Sequence, residues 1–422
     1  MMAHHTPMKL NLNQALLWLS HAQGVGLTSV LADRVHTDSR SLQSGDLFVA
    51  LRGERFDGHQ FIGQAKAQGA VGVVCEPSGQ DLAIHHGLPA LIVPDARIAL
   101  GELAQGWRSQ FNLPLIAVTG SNGKTTVTQM IASILREHAG EQALSTQGNL
   151  NNDIGVPLTL LNLRAHHTIA VVELGMNHPG EIAHLARLAQ ANVALVNNAQ
   201  REHQEFMGTV EAVAHENGAV LHALPSSGVA IYPADETFTP VWQALSGSRA
   251  QHTFAMPRGG IPTAQVAHSR VDVCADDVVW QSDAWQFALV TPQGTAPVLL
   301  HIAGRHNVKN ALAASACALA AGVPLATVVQ PLMCWPSCPH PVCWYWVTWA
   351  KWVIRGPSFM PKSAAMQPSA ASKFFTPWAT CLSMPRAHLE RPIIAPAWTS
   401  CWPLCYTTCI NFKVCWSKAR AS

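Results

Sequence analysis

A chain of 422 residues with a formal net charge of +2 is long enough for two or three domains, each with its own core, and a multidomain enzyme is the natural expectation. The near-neutral total is a cancellation: eighteen Lys or Arg stand against twenty-four Asp or Glu through Met333, and nine stand against the single acid Glu390 beyond it. No run of about eighteen apolar residues occurs and MMAHHTPMKLNLNQ lacks a charged-then-apolar leader, so membrane insertion is not expected and the cytoplasm is the expected compartment.

In chain order, DLFVAL (46–51), GVVCE (72–76) and ALIVP (90–94) read as strands, and 97–110 as an amphipathic helix, so residues 1–110 form a small α/β domain. From Leu115 the pattern is strand (LIAVTG), glycine loop (SNGKTT), helix (VTQMIASILREH), the layout of a βα unit in a parallel sheet. TIAVVELG (168–175) precedes a helix opened by Pro179 and carrying EIAHLARLAQ, and VALVNN (193–198) precedes another at about 209–224. Residues 228–303 read as strands separated by Gly and Asp turns, and a last helix begins near Asn307 and ends at Gly322. Residues 111–332 are thus expected to form an α/β, doubly wound nucleotide-binding domain with an antiparallel edge. Cys75, Cys274 and Cys317 lack metal-ligand spacing and read as buried thiols.

The segment Gly120-Ser121-Asn122-Gly123-Lys124-Thr125-Thr126 carries the first chemistry. Glycines there let backbone N–H groups close on phosphate oxygens, Lys124 can neutralise β- and γ-phosphates, and Thr125 can ligate Mg²⁺. The strict GxxxxGK[ST] spacing is not kept, because Ala117 or Val118 would have to be glycine, and an ordinary tight βα turn is the alternative. ATP or GTP is the expected ligand.

Five ordered motifs add a resemblance: TGSNGKTT, GNLNNDIGVPLTLL (148–161), VVELGMNHPGEI (171–182), NNAQREHQEF (197–206) and GRHNVKNALAA (304–314) occur in the order and spacing of the Mur ligases. GNLNNDIG and ELGMNHPGEI resemble the branch that adds D-alanyl-D-alanine to UDP-N-acetylmuramoyl-tripeptide, with ATP and Mg²⁺, through an acyl phosphate. TDSR (37–40) and GDLFVALRGERFDGHQFI (45–62) resemble the part of those ligases that holds the UDP end of the substrate. The resemblance implies a three-domain architecture and a monomer, with Lys124, Glu173 and His203 as catalytic residues and Thr125, Glu173 and His203 at the metal. It places Asn307 and, second to it, Asn310 near the adenine, Ser39 and Arg40 at the UDP moiety, and Asn149, Asn151 and Asn152 on the substrate side. Taken alone, His203 reads as a surface histidine, Asp38 and Ser39 as a turn, and Asn307 as a helix cap compatible with an adenine role. Many members carry, fourteen residues after this histidine, a lysine modified by CO₂ that helps hold a second Mg²⁺; here that position is Asn217, so either Glu216 or Glu205 compensates or the second metal is held differently.

Beyond Met333 the chain changes character, with nine of its fourteen Trp, eight of its eleven Cys and no Asp. A basic, aromatic tail can suggest nucleic acid, but no periodicity or binding motif accompanies it, and no nucleic-acid partner is expected. Writing Val342 to Val353 as degenerate codons and reading from each third base gives Leu/Met/Val, then Leu-Val-Leu-Gly, a residue that Asp satisfies, Leu/Met/Val, Gly, and one that Glu satisfies. That contains the family's LVLGDMGE signature, so 333–422 reads as an out-of-frame remnant of the family's third domain. The alternative function is therefore a remnant that binds nucleotide or UDP-substrate without ligating.

Overall fold

The computed structural model describes residues 7–27, 29–201, 204–256 and 271–334. The tail from 335 onward, its out-of-frame reading included, and His203 lie outside these residues.

A five-stranded sheet runs in the order Gln23–Val25, Ala90–Ile92, Gly72–Cys75, Asp46–Val49, Arg34–His36, parallel except for the first pair. Its inner strands are buried on both faces, as a parallel sheet covered by helices requires, so they read as apolar runs. The period of two sorts them: Leu47, Val49, Val74 and Leu91 join Leu100 and Leu103 of the helix Ala96–Arg108, while Phe48, Val73, Cys75 and Ile92 join Ile62, Ala65 and Ala83. That helix is capped by Asp95, whose Oδ1 accepts from the amides of Arg97 (2.7 Å) and Ile98 (3.0 Å).

At its other end Arg108, only 4% exposed, donates to the carbonyls of Ala189 (3.1 Å), Gln190 (3.1 Å) and Phe111 (2.6 Å). The guanidinium fork joins this helix to the end of the helix Glu181–Ala189 and satisfies carbonyls that helix geometry leaves without partners. Arg108→Ala is expected to lower stability by roughly 3 kcal/mol, because hydrogen bonds to a charged group are lost and buried acceptors are orphaned. Urea denaturation checks it; a loss below about 0.5 kcal/mol, the range of ordinary surface substitutions, would show that the fork is dispensable.

The second sheet has nine strands, ordered Gly294–Leu300, Ala284–Thr291, Val273–Gln281, Ala250–Ala255, Val229–Pro233, Val193–Val196, Leu115–Thr119, Ile169–Glu173, Ala143–Ser145. The strands Ala143–Ser145 to Val273–Gln281 are parallel, and the last three in sequence pair antiparallel, as expected of an antiparallel edge. The turns are Ser282-Asp283, both at positive φ, and one closed by Gly294. The helix Lys124–Ala139 buries Val127, Met130, Ile131, Ile134 and Leu135, a face at helical spacing, and packs with His306–Ala320 and Leu325–Cys334. Glu181–Ala189, Val210–His222 and Thr239–Ser246 form another helical group.

Three details differ from the sequence reading. The stretch 228–303 is not all strand: Thr239–Ser246 is a helix with Pro240 in its first turn and Trp242 fully buried, its Nε1 donating to Ala214 O (3.0 Å). Pro179 does not open the helix Glu181–Ala189; Gly180, at φ +89°, occupies the cap position. Asn307 is not a helix cap either, since Arg305 holds that position and the Asn307 amide donates instead to Ala303 O (2.7 Å). The three cysteines are free thiols and buried, and burial pushes the Cys75 thiol up to about 12.

Candidate nucleotide site

The strand Leu115–Thr119 lies between Ile169–Glu173 on one side and Val193–Val196 on the other, with Val118 in register with both Glu173 and Leu195. The chain leaves this strand toward one edge of the sheet and returns to build the other. A topological switch point therefore falls at its carboxyl end, where open α/β sheets bind ligands. The glycine loop sits there and feeds the helix Lys124–Ala139, whose first amides have no intrahelical acceptors and face the crevice with the positive end of the helix dipole.

The loop is held from behind by the residues after Val196. Asn198 accepts the Asn122 amide at its Oδ1 (2.9 Å) and donates to Asn122 O (2.8 Å), and its carbonyl accepts from Ser121 N (3.2 Å). Asn122 Nδ2 donates to Gln200 Oε1 (2.7 Å), and Ser121 Oγ accepts from Gln200 N (2.9 Å). The polar groups of Ser121 and Asn122 expected to cradle phosphate are thus engaged with the protein. The amides at the start of the helix Lys124–Ala139 are the donors that helix geometry leaves without intrahelical acceptors. Lys124 folds back, its Nζ donating to the carbonyls of Gly120 and Ser121.

Glu173, 1% exposed, is the buried charge of the crevice. Its Oε1 accepts from Asn151 Nδ2 (2.8 Å) and Thr125 Oγ1 (3.1 Å), while Oε2 is buried without a partner. Burial pushes this carboxyl up, against the pull of Asn151, Thr125 and Lys124. A buried carboxylate oxygen left unpaired beside a threonine hydroxyl and a phosphate loop suits a hard cation, which takes oxygen ligands and cancels the desolvated charge. Thr125 and Glu173 thus fit the expected Mg²⁺, though no group of three or more His, Cys, Asp or Glu with metal-site geometry occurs among the described residues.

Asn151 lies against Glu173 rather than free on the substrate side. Asn152 Oδ1 accepts from Ile154 N and Gly155 N at the start of the helix Gly155–Leu160, and Asn149 is exposed. Truncating Asn151 leaves both oxygens of Glu173 poorly satisfied, so Asn151→Ala is expected to weaken Mg²⁺-supported nucleotide binding by about tenfold, the order of a lost hydrogen bond to a charged group. Calorimetric titration with ATP, with and without Mg²⁺, reads this; equal loss without the metal would place Asn151 on the nucleotide instead.

Asn217 is fully buried on the helix Val210–His222, its Oδ1 accepting from Thr119 Oγ1 (2.7 Å) and its Nδ2 unpartnered. Glu216, a candidate to compensate for the missing lysine, is engaged at a helix start: its two carboxylate oxygens accept from the amides of Gly180 and Ile182 (2.9 Å each). Glu205 is exposed on the short helix Gln204–Met207.

Ser39 and Arg40 belong to the other sheet's margin. Ser39 is buried, whereas Arg40 is outward and paired with Asp38 (2.7 Å), which holds that carboxyl well below the usual range; the Arg40 amide also donates to Asp38 Oδ1, closing the turn. No hydrogen bond joins them to the phosphate loop among the described residues. Asn197, Asn198 and Gln200 lie in the motif NNAQREHQEF, but their part in holding the loop is legible only as a polar run directly after VALV, at the carboxyl end of a strand beside the loop.

This loop at a switch point, backed by a buried carboxylate, has the layout of a phosphate-binding α/β fold, and the relatives agree. Residues 118–318 match the Mur ligase middle domain and 33–108 the Mur ligase family catalytic domain; the chain belongs to the Mur ligase family. Among solved structures it is similar to MurF from Acinetobacter baumannii, 36% identical with a TM-score of 0.69, covering 78% of this chain and 68% of that one. Among curated proteins it is similar to the UDP-N-acetylmuramoyl-tripeptide–D-alanyl-D-alanine ligase of Haemophilus influenzae, 40% identical over 315 residues, 74% of this chain and 65% of that protein. The ligase of that name from Escherichia coli is 44% identical over 307 residues, 72% of this chain and 63% of that protein. The chain thus spans just under two thirds of the length of these curated relatives.

Proposed function

We propose that this chain is an ATP-dependent ligase of peptidoglycan synthesis, joining D-alanyl-D-alanine to UDP-N-acetylmuramoyl-tripeptide in the cytoplasm. The observation that carries the proposal is the pairing of Lys124 and the helix start with the buried, half-satisfied carboxylate of Glu173 at one switch point. In this reaction the tripeptide's terminal carboxylate attacks the γ-phosphorus, ADP leaves, and an acyl phosphate forms. The amine of D-alanyl-D-alanine then attacks the acyl carbon, expels phosphate and loses its proton.

Phosphoryl transfer of this kind needs positioned positive charge more than covalent help from protein. Lys124 leaves the loop carbonyls for the β- and γ-phosphates, and the first amides of its helix receive the oxygens. Thr125 and Glu173 would hold Mg²⁺, which supplies neutralisation of the phosphate charge; Asn151 keeps the carboxylate in place. His203 joins this set by its motif. Asn307 and Asn310, the latter beside the glycine loop, serve the adenine end, while Ser39 and Arg40 belong to the part that receives the UDP end. Residues 1–110, 111–332 and 333–422 correspond in this reading to substrate domain, ATPase domain and an out-of-frame third domain.

The test is phosphate release from ATP by the full chain, with Mg²⁺ and each substrate in turn. Release that requires both the UDP-tripeptide and D-alanyl-D-alanine, with formation of the pentapeptide, is the expected result; ATP binding without ligation would sink it. Resequencing the gene across the codons for Gln330 to Val353 decides the tail, with a restored LVLGDMGE frame expected wherever ligation is found.

A further inference from the structure

Among the described residues, three polar side-chain atoms buried without partners lie around the phosphate loop: Glu173 Oε2, Asn217 Nδ2 and Asn197 Oδ1. The first belongs to the proposed metal, and the second side chain is tied to Thr119. Asn197 is 1% exposed and stands at the centre of a chain of amides. Its Nδ2 donates both to Asn122 O in the loop (2.8 Å) and to Asn310 Oδ1 (3.1 Å); Asn310 Nδ2 in turn donates to Asn307 Oδ1 (3.0 Å), and Asn307 Nδ2 to Ala303 O (2.7 Å). The backbone is tied in as well, since Asn197 N donates to Thr119 O (2.9 Å). A Cβ on Gly123 would lie 2.9 Å from Asn197 Nδ2 and one on Gly120 would lie 3.1 Å from Asn197 Cβ, so both loop glycines close directly onto this residue. In the first turn of the helix His306–Ala320, next to Asn310, Lys309 fastens the same end, its Nζ donating to Asp235 Oδ1 (2.7 Å) and Glu236 Oε1 (2.8 Å).

We propose that Asn197 is a positioning residue that couples the helix His306–Ala320 to the phosphate loop, so that the nucleotide's adenine end and its phosphate end are held by one buried amide relay. The relay rests on the reading of this crevice as an ATP site. One amide hydrogen-bonded on two sides in a dry setting has a fixed direction, because rotating it would leave Asn122 O and Asn310 Oδ1 without their donor. Asn310 and the loop therefore do not move independently. Ligand groups at either end feel the same constraint.

The experiment is a double-mutant cycle on the full chain, Asn197→Ala and Asn310→Ala singly and together, with binding of ATP and of adenosine measured by calorimetry and folding checked by thermal melting. Asn197→Ala is expected to weaken ATP by about tenfold, the order of removing one partner from a buried hydrogen-bonded pair. Adenosine should be weakened as well, although Asn197 contacts the loop, and the double variant should bind ATP no more weakly than about the worse single one. Additive losses in the cycle, or adenosine binding that ignores Asn197, overturn the relay. Where Asn197→Ala does not fold, Asn197→Ser keeps a polar group in the site but not its reach, and the same cycle is read with it. A wild-type chain that binds no ATP overturns the nucleotide reading itself, and the relay with it; binding with an unperturbed Asn197 variant overturns the relay alone.

Discussion

Glu173→Gln is expected to abolish Mg²⁺-supported ATP turnover, by on the order of 10²–10³ or more, while leaving the fold at least as stable as the parent. Desolvation pushes this buried carboxyl up, the bonds from Asn151 and Thr125 and the nearby Lys124 oppose it, and Oε2 has no partner. A folded-state value above the unfolded one means that the favourable contribution is fully present below the unfolded value and is lost as pH rises through the folded one. Wherever the parent's carboxyl is ionised it is poorly compensated, a cost that glutamine removes. The variant should melt higher than the parent above the ordinary carboxylate range, on the order of a few degrees, and its stability should vary less with pH. A bound cation reverses the balance for the parent alone, so Mg²⁺ with ATP should raise the parent's melting point and not the variant's. Melting curves across about pH 5 to 8 with and without Mg²⁺ and ATP, beside phosphate release, read all of this. Turnover close to the parent's would remove Glu173 from the metal site.

Gly123→Ala is expected to cost roughly 2–4 kcal/mol of stability and most of the ATP affinity. Gly123 sits at φ +77°, where an L side chain costs about 1–2 kcal/mol. The added methyl would also lie 2.8 Å from Asn310 Oδ1 and 2.9 Å from Asn197 Nδ2, forcing apart two buried amides that bond each other at 3.1 Å; overpacking of this kind costs about 1–3 kcal/mol. Unlike a surface glycine change, it acts through the wall of the site, so affinity should fall even at temperatures where the variant is fully folded. Combining it with Asn310→Ala makes room for the methyl, and the pair should lose less stability than the two changes summed. Denaturation midpoints of the three variants measure this; strict additivity would mean that backbone strain alone sets the cost.

Much of the α/β architecture was legible along the chain because its signals are local. The buried strands read as apolar runs, the helix after the loop repeats its apolar face at 127, 130, 131, 134 and 135, and the turns of the antiparallel edge carry Asp283 and Gly294. The helix Thr239–Ser246 was hidden because eight residues hold barely two turns of periodicity, and only Pro240 hinted at a start. Among the site residues, the glycine loop, Lys124, Thr125 and Glu173 announced themselves by motif. Asn151 and Asn310 also lay in motifs, but which side chains they pair with was not legible, since a hydrogen bond such as that between Asn197 and Asn310 spans 113 positions and leaves no spacing to read.

The sequence by itself determined the family, the phosphate loop and the α/β class, since each is carried by motifs and periodicities that are local in the chain. It also determined the abrupt change in composition past Met333. Only the tertiary structure decided how those residues are used. It turned Ser121 and Asn122 onto Asn198 and Gln200, tied Asn151 to Glu173, and spent Glu216 on a helix end rather than beside Asn217. The physical reason is that a polar side chain takes the partner that burial brings to it. That choice is made by how strands and helices far apart in sequence pack, not by the residue's own neighbours.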